Sequence, residues 1–218
     1  METKNRISIK KYYDNGNLYK DYYLIDDEID GEYISYHENG QKKIQAYFIN
    51  GLLNKQYFEY YENGNISEEG VYINNLKEGI YKAYYTNGHI KCEENYINDM
   101  KNGSYIEYYE NDKVKIKTTY TNNNINGQYI SYYENGTIHE NINYTNGKID
   151  GLYLSYFSNG KKKEKESYIN GKLHGLSISY HDNGRTRLKT RYIYDERDGY
   201  IEYNKGGKII EEHDWLRD

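Results

Sequence analysis

Polar and apolar residues alternate along most of the chain, and Asn-Gly pairs break the alternation at regular intervals. Gly127-Gln128-Tyr129-Ile130-Ser131-Tyr132 leads into Asn135-Gly136, and Ile138 to Thr145 leads into Asn146-Gly147. Period-two alternation predicts half-buried strands, and Asn-Gly between β-prone runs predicts hairpin turns. The runs between turns, such as Thr137 to Thr145 and Lys148 to Ser158, are long enough for strands. Two strands per cycle make an antiparallel meander.

The cycle is strict. Aligned on the Asn of the first turn, copies fall at Asn15, Asn39, Asn63, Asn87, Asn111, Asn135, Asn159 and Asn183, without a slip. A Tyr stands three positions earlier in all eight copies, from Tyr12 to Tyr180. The residue after the Asn is Gly in seven of them, Asp112 being the exception. A second turn follows in the same copy, as at Asn50-Gly51, Asn98-Asp99 and Asn170-Gly171. Fixed-period self-similarity is the mark of a repeat architecture. The fold expected is all-β: an elongated single-layer antiparallel β-meander of about eight stacked 24-residue hairpins. Roughly 17 strands at about 4.8 Å each would span on the order of 80 Å. Residues 1–30 read as a weak capping copy, 31–198 as seven tandem copies, and 199–218 as a C-terminal cap and tail. That tail holds Trp215.

Register follows if both turns are two-residue loops of type I′. Tyr133 then faces Ile138, Tyr129 faces Ile142 and Gly127 faces Tyr144. The same construction sets Gly79 against Tyr96, Gly103 against Tyr120, Gly151 against Tyr168 and Gly175 against Tyr192. A Gly inside a strand is costly unless something covers it, and a cross-strand aromatic does so. Lys55 opposite Tyr72 is the departure, with its alkyl stem expected along the ring. Alternation then sorts the side chains onto two faces. An aromatic face carries Tyr129, Ser131, Tyr133, Glu140, Ile142 and Tyr144. A polar face carries Ile130, Tyr132, His139, Asn141 and Asn143.

Composition sharpens this picture. The chain has 32 Tyr, 27 Asn and 20 Gly among 218 residues, but no Pro, one Trp and one Cys. Tyr favours strands, whereas Ala, the best helix former, occurs only at Ala46 and Ala83. With the single Cys92 there is no disulfide framework and no multi-Cys zinc site. The net charge of −5 gives no field for nucleic acid. A mean hydropathy of −1.13 leaves no apolar run of membrane-spanning length. Met1 to Lys10 lacks the apolar core of a secretory signal, so a cytoplasmic location is expected.

The unit Gly-x-Tyr-x-x-Tyr-Tyr-x-Asn-Gly followed by Tyr-x-Asn-Gly-Lys resembles the MORN repeat (membrane occupation and recognition nexus) in its shorter bacterial and viral variant. Gly127 to Lys148 and Gly151 to Lys172 are the clearest copies, and the resemblance covers about residues 7 to 207. It implies stacked hairpins used as a scaffold for partner proteins. Some members are linked to phospholipid head groups, and the bacterial variant is often labelled an antitoxin. This chain has Asn-Gly tips and far more Tyr than the longer form.

Catalysis needs unlike groups convergent at one place, whereas a regular repeat spreads like groups along a line. His37 and His181 are six copies apart and read as substitutes for the Tyr or Phe of their position. His139 and Glu140, as strand neighbours, are expected on opposite faces. Cys92 takes a position held elsewhere by Ile44, Ile116 and Leu188, and reads as a small apolar residue. Lys161, Lys163 and Lys165 are expected together on the polar face. No catalytic residue, metal ligand or cofactor is expected, and no GxxxxGK[ST] or GxGxxG string precedes a helix. The function expected is a non-enzymatic scaffold that binds a partner protein through Tyr81, Tyr85, Tyr105, Tyr109, Tyr129, Tyr133, Tyr153 and Phe157. A toxin-neutralising or immunity protein and a carbohydrate or phospholipid head-group module are the alternatives. A membrane surface ranks behind a protein partner, and an unpaired end strand would allow an edge-to-edge second copy.

Overall fold

A computed structural model describes residues 5–213. Every regular element in it is a strand. The backbone divides into two compact units: one runs to Gly103 and takes in Glu110–Asp112, and the other comprises Ser104–Tyr109 and the chain from Lys113 onward.

The first unit contains β1 (Arg6–Tyr12), β2 (Leu18–Ile25), β3 (Glu28–Tyr36), β4 (Lys42–Ile49), β5 (Leu52–Tyr60), β6 (Ile66–Ile73), β7 (Leu76–Tyr84) and β8 (Ile90–Ile97). The division falls within β9 (Met100–Tyr108). The second unit continues with β10 (Val114–Thr121), β11 (Asn124–Ile125), β12 (Gly127–Tyr132), β13 (Ile138–Thr145), β14 (Lys148–Tyr156) and β15 (Lys162–Ile169). It ends with β16 (Lys172–Leu173), β17 (Gly175–Tyr180), β18 (Thr186–Ile193), β19 (Glu196–Tyr203) and β20 (Ile209–His213). Within each unit successive strands pair antiparallel. The short pieces β11 and β16 belong to strands interrupted at Asn126 and His174, which is why there are more segments than the period predicts. Trp215 lies outside the described residues.

The two turns of each copy differ. At the second turn both central residues have positive φ, as in Asn146 (48°) with Gly147 (79°) and Asn98 (49°) with Asp99 (67°), which is what type I′ requires. The first turn is not of that type. Gly136 donates its N–H to the Tyr133 carbonyl, Tyr133 donates its own to the Thr137 carbonyl, and only Gly136 has positive φ. This is the pattern of a three-residue loop: a type I turn followed by a left-handed Gly. The closing strand pair is therefore Tyr132 with Ile138, not Tyr133 with Ile138. An extra residue, His139, then bulges out before Ser131 meets Glu140. Loop and bulge cancel, so the expected pairs Tyr129–Ile142 and Gly127–Tyr144 hold.

The strand glycines face aromatics as expected, Gly79 with Tyr96, Gly151 with Tyr168 and Gly175 with Tyr192, and Gly31 does the same with Phe48. The structure adds a second reason for them. Against the preceding strand, each sits in a bulge. Ile142 pairs with Tyr153 and Tyr144 with Ile149, leaving Asp150, Gly151 and Leu152 opposite Asn143 alone. The bulged residue takes positive φ, 106° at Gly151 and 107° at Gly127. Lys55 fills the position with φ of 63°, and this conformation carries its ammonium 3.7 Å from the centre of the Tyr47 ring rather than along Tyr72. In the last copy the bulge is one residue shorter: Arg191 pairs with Gly199 and Tyr192 with Arg197. That loss accounts for the Gly206-Gly207 turn falling 23 residues after Asn183-Gly184, where the earlier intervals are 24.

We expect Gly127→Ala and Gly151→Ala each to lower stability by about 1–2 kcal/mol, the cost of a side chain in the left-handed region. Urea midpoints measure it. Unchanged midpoints would mean that the bulge imposes no such conformation.

Candidate binding face

Five successive copies present the same tyrosine pair, from Tyr57–Tyr72 to Tyr153–Tyr168, and Ser177 replaces the ring in the next. Tyr129 and Tyr144 meet edge-to-face at 6.1 Å and 66°, Tyr105 and Tyr120 at 5.8 Å and 75°, and Tyr153 and Tyr168 at 6.4 Å and 68°. In the first unit Tyr81 and Tyr96 do so at 6.0 Å and 74°. Such tilted pairs are favoured by the ring quadrupole. Tyr81 also fills the space over Gly70, where an added Cβ would lie 2.3 Å from the ring. Other copies carry Ala46, Glu94, Thr118, Ile142, Glu166 and Thr190 there.

The hydroxyls of this face are held by carboxylates. Tyr153 donates to Glu140 at 3.2 Å, Tyr105 to Glu107 at 3.1 Å and Tyr168 to Glu166 at 2.7 Å. Tyr81 donates to Glu68 and Tyr96 to Glu94. Burial first, and then the neighbouring Glu140 carboxylate, pushes the Tyr153 hydroxyl up to about 12. Tyr129 and Tyr144 are raised by the same two causes in the same order.

The next row, Tyr85, Tyr109, Tyr133 and Phe157, has a structural task. Tyr109 donates its hydroxyl to the Tyr132 carbonyl at 2.7 Å, and Tyr133 to that of Tyr156 at 2.8 Å. Each acceptor belongs to the following copy. His37 and His181 occupy the same position and reach the Tyr60 and Tyr203 carbonyls through Nε2, which explains how His replaces Tyr there. The Asn present in every copy acts alongside them. Asn135 accepts from the Thr137 N–H through Oδ1 and donates through Nδ2 to the Ser158 carbonyl at 2.9 Å. Asn39, Asn63 and Asn183 repeat the bond to the following copy. Sequence reasoning reads this Asn as a turn former only. Its invariance where Asp, Ser or Gly would also make a turn is the available signal.

Two expected placements are corrected by the one-residue bulge after the first loop. His139 and Glu140 do not point to opposite faces, since Ser131 Oγ lies 3.4 Å from both His139 Nδ1 and Glu140 Oε2. Glu140 thus contacts the hydroxyl rather than orienting the imidazole, so the trio lacks the order of a nucleophilic relay. Lys163, at the equivalent position, leaves the expected company of Lys161 and Lys165. It lines an open cavity of about 260 Å³ with Phe157, Glu164, Ser179 and Arg187. Cys92 is half-buried, pairs with Ala83, and has its Sγ 4.0 Å from Glu94. Among the described residues no three of His, Cys, Asp and Glu gather in metal-binding geometry.

The opposite face is less polar than expected. In the first unit a groove of about 520 Å³ is lined by Glu32, Gln45, Tyr47, Lys55, Gln56 and Phe58. Another, of about 260 Å³, adds Glu69, Val71, Ile80 and Lys82.

The MORN repeat variant model matches residues 29–50, 53–74, 77–98, 101–122, 125–146 and 149–170, more than half of the chain. The chain is a MORN repeat protein. Each match spans one hairpin closed by the three-residue loop, which holds Asn-Gly in five of them and Asn111-Asp112 in the other, so the family unit and the structural unit coincide. MORN repeats serve as scaffolds, commonly for protein or membrane binding, and are generally non-enzymatic. No curated protein matches the chain significantly. Among solved structures it is similar to TcdB2-TccC3 at 11% identity, over 91% of this chain and 14% of that one, with a TM-score of 0.24. It is similar to TcdB2-TccC3-Cdc42 at 11% identity, over 94% and 14%, with a TM-score of 0.20. The chain thus spans about a seventh of the length of either, and at these TM-scores neither likeness places a residue.

The raised tyrosines give a pH dependence with a definite sign. Unfolded tyrosine ionises near 10.0, and the folded groups do so higher. Their contribution to stability is complete below pH 10 and is lost as pH rises from 10 toward about 12. Thermal midpoints should therefore fall between about pH 10 and 11.5, with tyrosinate absorbance at the native face lagging that of the urea-unfolded chain. Superimposable native and unfolded titrations would contradict the hydroxyl–carboxylate arrangement.

Proposed function

We propose that this MORN repeat protein is a non-enzymatic scaffold that binds a partner protein on its tyrosine face. In the second unit the contact residues are Tyr105, Tyr129 and Tyr153, with Phe157 at the margin, and Tyr109 and Tyr133 act mainly by joining copies. Tyr81 is the counterpart in the first unit, with Tyr85 in its adjoining row. The observation that carries the reading is the near-identical geometry of the Tyr105–Tyr120, Tyr129–Tyr144 and Tyr153–Tyr168 pairs. Rings held by neighbours and by hydroxyl bonds lose little entropy on binding, and Tyr is enriched in interface cores for that reason. Specificity would come from the residues between the rings, such as Glu140, Ile142 and Glu166.

Site-specific photo-crosslinking in the native source tests this reading. A benzophenone residue at position 129 or 153 should trap one discrete protein adduct, and one at position 143 on the other face should not. Adducts from position 143 alone would move the interface to the opposite face.

A further inference from the structure

One row on the opposite face carries a pattern that the binding face does not use. In the first unit the pairing register runs Asp21–Ile34–Gln45–Phe58–Glu69–Lys82–Glu93. In the second it runs Lys117–Ile130–Asn141–Leu154–Lys165–Ile178–Lys189. Taken at one position per copy, the first unit reads acid, amide, acid, acid at Asp21, Gln45, Glu69 and Glu93. The second unit reads cation, amide, cation, cation at Lys117, Asn141, Lys165 and Lys189. The order matches copy for copy, with an offset of four copies. Between them stand Ile34, Phe58 and Lys82 in one unit and Ile130, Leu154 and Ile178 in the other, so the two rows are apolar against apolar at two of the three intervening positions and Lys82 lies against Ile178 at the third.

We infer that the protein self-associates through this row, the first unit of one molecule lying face to face on the second unit of another. Both surfaces share one period, about 10 Å per two strands, so a single good contact brings the others into step. In that register Asp21 meets Lys117, Gln45 meets Asn141, Glu69 meets Lys165 and Glu93 meets Lys189. Facing sheets pack about 10 Å apart, which leaves room for the intervening Ile, Leu and Phe side chains to interdigitate.

The local charges are consistent with this. None of Lys117, Lys165 and Lys189 has a carboxylate within 4 Å among the described residues, and Lys117 and Lys165 are exposed. The acids have only loose cations of their own: Lys10 lies 3.4 Å from Asp21, and Lys82 lies 3.8 and 3.7 Å from Glu69 and Glu93. Partly exposed pairs of that length contribute little, so exchanging them for intermolecular pairs costs little. Each molecule carries both surfaces, so the contact either closes as a twofold dimer, with each unit on the unlike unit of its partner, or propagates to larger assemblies.

Sedimentation velocity on the full chain tests the inference. The wild type should show concentration-dependent association that weakens as salt rises. E69K/E93K and K165E/K189E should each weaken it roughly tenfold or more, because each sets like charges against like. An equimolar mixture of the two variants should associate again, since each then offers the other a complementary row. Circular dichroism on each variant confirms that it remains folded. A wild type that stays monomeric at all concentrations overturns the inference, as does a mixture of folded variants no more associated than either alone.

Discussion

A single sheet has water on both sides, and that constraint governs this molecule. No large side chain is fully buried among the described residues. The best buried positions are small or few: Ala46, Ser35, Ser131, Ser155, Thr118 and Thr190, with Tyr81, Tyr96, Ile142 and Ile201. Without a two-layer core, stability has to come from contacts between neighbouring copies. Tyr suits this, because its ring packs while its hydroxyl reaches water, a carboxylate or a carbonyl. Repeated contacts of this kind explain why 32 tyrosines are present and why their positions recur. The protein-binding reading depends on the same arrangement, since it needs rings that are already fixed.

Much of the fold is legible because each copy returns the chain to the same environment. The period, the strands, the second turn and the pairing of Gly151 with Tyr168 all follow from residue identities at fixed intervals. The first turn is misread because Asn-Gly serves two loop types. Type I′ places both residues at positive φ, while the three-residue loop places only the Gly there, and the dipeptide does not distinguish them. The bulges at His139 and Gly151 are hidden for a related reason. Each restores parity, so the register on either side looks regular. Side chains inside the bulges are therefore assigned to the wrong face, as with His139 and Lys163.

The candidate site is legible as a row of rings, but not in its polar chemistry. Alternation places Glu140 on the aromatic face, yet its role as acceptor for Tyr153 depends on a diagonal between strands that alternation alone does not give. Tyr133 groups with Tyr129 as a contact residue in the sequence. The structure separates them, since the Tyr133 hydroxyl is occupied by the Tyr156 carbonyl. Likewise the Asn of the first turn looks like a backbone device and is also a link between copies. These roles arise from bonds that join one copy to the next, which no local window displays. The face expected to be polar carries Ile130, as the alternation places it, and repeats an apolar residue at the same position in Leu154 and Ile178, which a reading of one copy does not show.

The central claim is that each copy is fixed by the Tyr and Asn of its predecessor. Amide hydrogen exchange on the double variant Tyr133→Phe/Asn135→Ala measures this directly, because it removes the Tyr and Asn bonds to one following loop. The account predicts faster exchange at Thr137, which loses its acceptor, and at the Phe157 and Gly160 amides of the following loop, with Tyr109 and Gly184 unaffected. Unchanged exchange at Phe157 and Gly160, or an equal rise across all copies, would contradict it.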